Sequence, residues 1–229
     1  MTLRTTSLSI PLAGGTTLPG LLDKPAAAAA ACYVFAHGAG AGMDHPFMAA
    51  IARGLAQRGI AALRFQFPYM AQGSRRPDSP KVAQGSVRAA VREAEKNMPG
   101  VPLFAGGKSY GGRMTSQAQA AEPLAGVHGL VFVGFPLHPA GKPSTDRADH
   151  LADVRVPMLF LQGTRDALAD LGLIRDMTVR LGRRATLHIV EGGDHSFHVL
   201  ARSGRTDDEV RDELADTMAG WMKSTLAAS

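Results

Sequence analysis

Leu103-Phe104-Ala105-Gly106-Gly107-Lys108-Ser109-Tyr110-Gly111-Gly112 decides how the rest of this 229-residue chain is read. A short apolar run of buried-strand length ends in a serine with glycine two residues away on either side, the pattern G-x-S-x-G. Such a serine sits on a strained turn between strand and helix. The small flanking residues let the backbone fold tightly enough to hold the hydroxyl clear of the sheet. Residues 113–121 contain good helix formers and stop at Glu122-Pro123, so strand, turn and helix follow in that order. Gly107-Lys108-Ser109 also ends like a phosphate loop. The position that would need the first glycine of G-x-x-x-x-G-K-S is Pro102, so that reading is set aside.

Upstream, residues 32–36 are a continuous apolar run that ends at His37-Gly38-Ala39-Gly40. Asp44-His45-Pro46 starts a helix with Met48, Ile51 and Leu55 on one face, and 60–67 is the next strand. Pro68-Tyr69 opens a polar loop through Arg75-Arg76-Pro77-Asp78, followed by a helix marked by Val87, Ala90, Val91, Ala94 and Met98. Residues 5–10 and 16–22, separated by Pro11 and Gly14-Gly15, read as an edge hairpin. Downstream, 127–133, 158–161 and 186–190 read as strands, 135–156 as an irregular loop and 167–181 as a helix. Thr206-Asp207-Asp208-Glu209 is a capping-box pattern opening a last helix with Val210, Leu214, Met218 and Met222 on one face. Strands alternating with helices predict the α/β class: a mostly parallel sheet covered on both faces, in a single domain over 1–229.

Composition narrows the function classes. At 45% hydrophobic and 20% charged the chain is of globular type. The net charge of +5 is spread without a basic arm, which speaks against a nucleic-acid partner. The single cysteine, Cys32, permits no intrachain disulfide and reads as a buried small hydrophobe. The first residues lack the pattern of a signal peptide and no stretch has transmembrane length, so a cytoplasmic protein with no membrane partner is expected. No pair of histidines has metal-ligand spacing with a carboxylate or cysteine, so neither a metal nor another cofactor is expected.

A serine hydroxyl at neutral pH is a weak nucleophile and needs a base, usually a histidine held in one tautomer by a carboxylate. Ser109 ends one strand, Asp166 a later one, and His195 lies in the loop after the last strand. All three therefore fall at carboxyl ends of strands, where ligand sites in such sheets form. Asp194 is the competing acid, but a sequence neighbour of His195 usually points its side chain elsewhere. Asp146 and Asp149 are further candidates. A developing oxyanion needs two preorganised N–H donors, for which Tyr110 and Ala39 stand in place, with Gly40 as the alternative to Ala39 and His37 bracing their loop.

The order Ser, Asp, His along the chain resembles that of α/β-hydrolases, here without a large cap and similar in layout to dienelactone hydrolases and small esterases. More narrowly, the chain resembles the family that includes the testis-expressed hydrolase-like proteins and a subunit of a chromatin acetyltransferase complex. The stretches that carry this are 36–47, Arg64-Phe65-Gln66-Phe67-Pro68-Tyr69, Gly107-Lys108-Ser109-Tyr110-Gly111-Gly112, Gln162-Gly163-Thr164-Arg165-Asp166 and Gly193-Asp194-His195-Ser196-Phe197. Dienelactone hydrolases carry cysteine where this chain has Ser109. The expected activity is hydrolysis of a small carboxylic ester or thioester through an acyl-enzyme, with a non-catalytic scaffold on the same fold as the competing class. Arg75 and Arg76, with Lys142 and Arg147, are candidates for holding an anionic substrate group at the rim.

Overall fold

The computed structural model describes residues 4–228. The apolar runs form β1 (Arg4–Pro11), β2 (Thr17–Lys24), β3 (Ala31–Ala36), β4 (Ile60–Phe65), β5 (Leu103–Lys108), β6 (Val127–Val133), β7 (Met158–Gly163) and β8 (Ala185–Val190). The helices are α1 (Pro46–Gln57), α2 (Pro68–Ala71), α3 (Pro80–Asn97), α4 (Tyr110–Ala121), α5 (Leu171–Leu181) and α6 (Asp207–Ala227). All eight strands join one sheet in the order β1-β2-β4-β3-β5-β6-β7-β8. The β1–β2 hairpin lies at the edge and pairs antiparallel to β4, and from β4 onward every neighbour is parallel.

Successive residues of β3 point to opposite faces and so feed two cores. Cys32 and Val34 belong to the core that also holds Val87 of α3, Met114 of α4 and Ile174 of α5. Tyr33 and Phe35 belong to the opposite core, with Met48 of α1 and Leu214 of α6. Strands β3, β4 and β7 are buried along their whole length, which is why they read as unbroken apolar runs. The α6 capping box forms as its sequence predicts, with Thr206 and Glu209 satisfying each other's backbone N–H. Burial pushes the Cys32 thiol up to about 12, leaving it inert.

Local contacts explain where β4 ends and α5 begins against expectation, and the long loop holds one further element. Strand β4 stops at Phe65 because the Phe67 N–H turns to His37 Nε2 at 3.1 Å and Pro68 begins the one-turn α2. Helix α5 begins at Leu171, not at 167, because Asp170 caps it by accepting from Leu173 N at 3.0 Å. Residues 134–157 hold a 3₁₀ turn (Asp146–Asp153) and no lid helix. A buried ion pair ties the edge hairpin to β4 and the loop after β3: Arg64 Nε meets Asp23 Oδ2 at 2.9 Å, and Arg64 Nη1 donates to Met43 O at 2.7 Å. The loop after β3 is thereby anchored at Met43. Among the described residues, no helix is long and apolar enough to cross a membrane.

Candidate active site

Ser109 has φ 50° and ψ −116°, a left-handed conformation that costs a residue with a Cβ of order 1–3 kcal/mol. It is held by its own N–H to Val133 O at 3.2 Å and by the close seating of the turn on β3. A Cβ on either Gly107 or Gly111 would lie 2.4 Å from Ala36 O. The two glycines of the pentapeptide are thus required by backbone approach, which is the tightness read from the sequence.

Ser109, Asp166 and His195 come together although 86 residues separate the serine from the histidine. His195 Nε2 is 2.8 Å from Ser109 Oγ, and His195 Nδ1 is 2.7 Å from Asp166 Oδ2. The Asp166 side chain is 1% exposed. Its Oδ2 also accepts from Gln162 Nε2 at 2.5 Å, and its Oδ1 accepts from Leu168 N at 2.8 Å. A carboxylate with every neighbour a donor orients the Nδ1–H tautomer of His195, freeing Nε2 to accept from the serine. The Asp194 carboxylate instead accepts from Ser196 N and His198 N at 2.8 and 2.9 Å, shaping the loop and not touching the imidazole. Asp146 and Asp149 lie exposed on the 3₁₀ turn.

His37 is fully buried, and burial lowers its pKa below the ordinary imidazole value. Its Nε2 accepts from Phe67 N, so its proton is on Nδ1, which donates to Gly38 O at 2.7 Å. A neutral histidine therefore braces the loop bearing Ala39. Of the candidate donors, the backbone N–H groups of Tyr110 and Ala39 have no partner among the described residues. The Gly40 N–H is already given to Tyr69 Oη at 3.0 Å, which removes it as a free alternative. Tyr110 Oη donates to Asp78 O at 3.1 Å and its ring meets Phe67 edge-on.

Ser109 opens into a cleft of about 360 Å³ walled by Ala39, Phe47, Met48, Lys108, Leu168 and His195. Lys108, the residue before the serine, sends Nζ to His195 O at 2.5 Å. Burial lowers its pKa to about 8, with Asp166 and Asp194 acting in the opposite direction. Arg75 and Arg76 do not reach this cleft: both are exposed, and the polar loop folds inward through Asp78, whose Oδ2 accepts from Tyr69 N at 3.1 Å. Lys142 is likewise exposed. Leu168 has no signal in the sequence, Tyr69 and Gln162 stand there only within the stretches that carry the resemblance, and Lys108 reads there as a solvated charge inside the serine motif. Among the described residues, no three His, Cys, Asp or Glu side chains are grouped as metal ligands would be.

Solved structures share this arrangement of chain. A lidless α/β serine hydrolase from Xanthomonas campestris is 23% identical with a TM-score of 0.74, covering 95% of each chain. A dienelactone hydrolase from Anabaena variabilis is 21% identical with a TM-score of 0.75, covering 96% of this chain and 97% of that one. The esterase domain of a Rhodothermus marinus protein is 16% identical with a TM-score of 0.74, covering 98% and 99%. At these identities the likeness establishes the fold. The model of the alpha/beta hydrolase domain family matches residues 29–223, from β3 to the last turns of α6. This chain therefore belongs to the alpha/beta hydrolase family.

Proposed function

We propose that the protein is a serine hydrolase that cleaves a small carboxylic ester or thioester through an acyl-enzyme on Ser109. The observation that carries this reading is the unbroken hydrogen-bond chain from Ser109 Oγ through His195 to the buried Asp166 carboxylate. Ser109 Oγ attacks the acyl carbon while His195 Nε2 takes its proton. The bond from that carbon to the leaving oxygen or sulfur then breaks, and the leaving group takes the proton from Nε2. Water next gives a proton to Nε2 and attacks the acyl carbon. The bond to Ser109 Oγ breaks, the acid departs, and the hydroxyl recovers its proton. Asp166 does not take the proton; it orients His195 and stabilises the imidazolium. The N–H groups of Tyr110 and Ala39 hold the negative oxygen of each tetrahedral intermediate.

The size and mostly apolar wall of the cleft suit a short, uncharged acyl group. The reaction class agrees with the names of the similar hydrolase and esterase structures. A pure scaffold would have no use for a serine held in a left-handed turn against an oriented histidine. The test is a panel of neutral chromogenic esters and thioesters of graded acyl length, run on wild type and Ser109→Ala. Short acyl groups are turned over by wild type and left at the uncatalysed background by the variant. A folded wild type that turns over none of the panel overturns the reading.

A further inference from the structure

The chemistry above gives no part to Lys108, although its side chain forms part of the cleft wall immediately before the nucleophile. Its ammonium crosses from the end of β5 to the loop after β8 and donates to the backbone carbonyl of His195 at 2.5 Å. The donor is charged, so the bond is of the stronger kind. The same Nζ stands 5.6 Å from the centre of the Phe197 ring, a buried residue with φ 63° that stacks on Phe47 of α1. Opposite it is Gly134, where a Cβ would come within 3.1 Å of Nζ, so bare backbone leaves the ammonium its place. The loop shaped around Asp194 sets the local turn, but among the described residues only Lys108 grips the His195 carbonyl from outside that loop.

We propose, resting on the hydrolase reading, that Lys108 is a positioning residue for His195. From the strand that presents the serine, its ammonium holds the base's backbone so that Nε2 stays within reach of Ser109 Oγ. Serine and histidine are then set by one element instead of two that move independently.

The charge is what makes the grip strong, and the groups facing it decide when it is present. Asp166 faces it from the turn after β7, Asp194 and His195 from the loop after β8, and His45 shares the cleft from the start of α1. The two carboxylates favour the ammonium and burial opposes it, leaving the group charged at neutral pH and titrating at about 8. Above that pH a neutral amine makes a weaker bond, and the histidine loosens.

The experiment uses the full chain, wild type and Lys108→Met, which keeps the aliphatic stem and removes the ammonium. Two readouts are followed from about pH 6 to about pH 10: steady-state hydrolysis of a short neutral ester, and the low-field proton resonance of His195 Nδ1–H. Lys108→Met should lower kcat by about 10- to 100-fold with KM unchanged, as expected for a displaced catalytic group. Its low-field resonance should broaden or vanish. In wild type, kcat and the resonance should both decline with a midpoint of about 8, a limb that Lys108→Met lacks. A change confined to KM, or a variant with wild-type kcat and resonance, overturns the proposal and leaves the hydrolase reading standing. Should the variant fail to fold, the wild-type titration decides: kcat and resonance that stay flat through about pH 8 overturn it equally. A wild type that shows the titrating resonance but hydrolyses no ester overturns the hydrolase reading instead.

Discussion

Replacing Asp166 by Asn tests the carboxylate proposed as the acid of the triad, with little change in shape. In the folded protein Asp166 Oδ1 faces Leu168 N at 2.8 Å, while Oδ2 faces His195 Nδ1 at 2.7 Å and Gln162 Nε2 at 2.5 Å, so three donors surround it. An asparagine has one acceptor to offer. The Leu168 N–H is backbone and cannot turn away, so the amide oxygen goes there and the NH₂ faces Gln162 and His195. Gln162 cannot flip to accept it without releasing Phe135 N, which its Oε1 holds at 3.1 Å. One buried donor is left facing a donor, at about 1–3 kcal/mol of stability. His195 accommodates by accepting at Nδ1, which moves its proton to Nε2 and points an N–H at Ser109. For a serine-protease triad that tautomer change costs about 10⁴ in kcat, about 5.5 kcal/mol of barrier, and the same order is expected here. Activity on a short neutral ester, with a thermal melt to confirm folding, measures both effects. Asp194→Asn is the control, since an amide oxygen can still accept from Ser196 and His198. A folded Asp166→Asn within tenfold of wild type, beside a crippled Asp194→Asn, would refute the assignment.

Gly111→Ala should cost more than about 3 kcal/mol in urea denaturation, because its Cβ would lie 2.4 Å from Ala36 O and 2.6 Å from His37 O. Wild-type stability there would mean that the turn is not packed against β3 as described. Two histidines make stability fall with acid: burial lowers His37, and burial followed by Arg113 lowers His150 to about 4. Below the ordinary histidine value of about 6.5 the unfolded chain takes up protons that the folded one refuses, so the urea midpoint should drop as pH falls from there towards 4. A midpoint constant over that window would contradict the neutral state of buried His37 and of half-buried His150, which sits on the 3₁₀ turn with Nε2 2.7 Å from Ser116 Oγ. Arg75→Ala with Arg76→Ala should leave KM unchanged for a neutral ester and for its carboxylate-bearing analogue alike, since neither arginine reaches the cleft. A rise in KM for the charged ester alone would restore the rim arginines as an anion site.

Much of the site was legible because its signals are local. A strand's burial shows as an apolar run, a tight turn as Gly107 and Gly111, a helix start as Thr206 with Glu209, and the order of Ser109, Asp166 and His195 at strand ends needs no distances. What escaped is what depends on through-space pairing. The Arg64–Asp23 ion pair joins strands 41 residues apart, and Lys108 meets a backbone carbonyl 87 residues away. Gly40 stands in the sequence as the fallback for Ala39, and nothing there shows that the Tyr69 hydroxyl, 29 residues on, claims its N–H. The loop holding Arg75 and Arg76 follows β4, which runs parallel to β3, so topology alone puts it at the carboxyl end of these strands. Which way it faces is decided by Asp78 turning inward to Tyr69, a contact with no trace in the spacing.

The nucleophilic character of Ser109 is open to direct measurement without knowing the substrate. A fluorophosphonate reacts with a serine that a neighbouring base activates, and it leaves a covalent phosphonyl group that peptide mass spectrometry can locate. The expected result is a single adduct on the peptide containing Ser109, abolished by prior unfolding and by Ser109→Ala, and slowed in Asp166→Asn. Folded wild-type protein that takes up no label at Ser109, or takes it up equally at other serines, would contradict the role given to the triad.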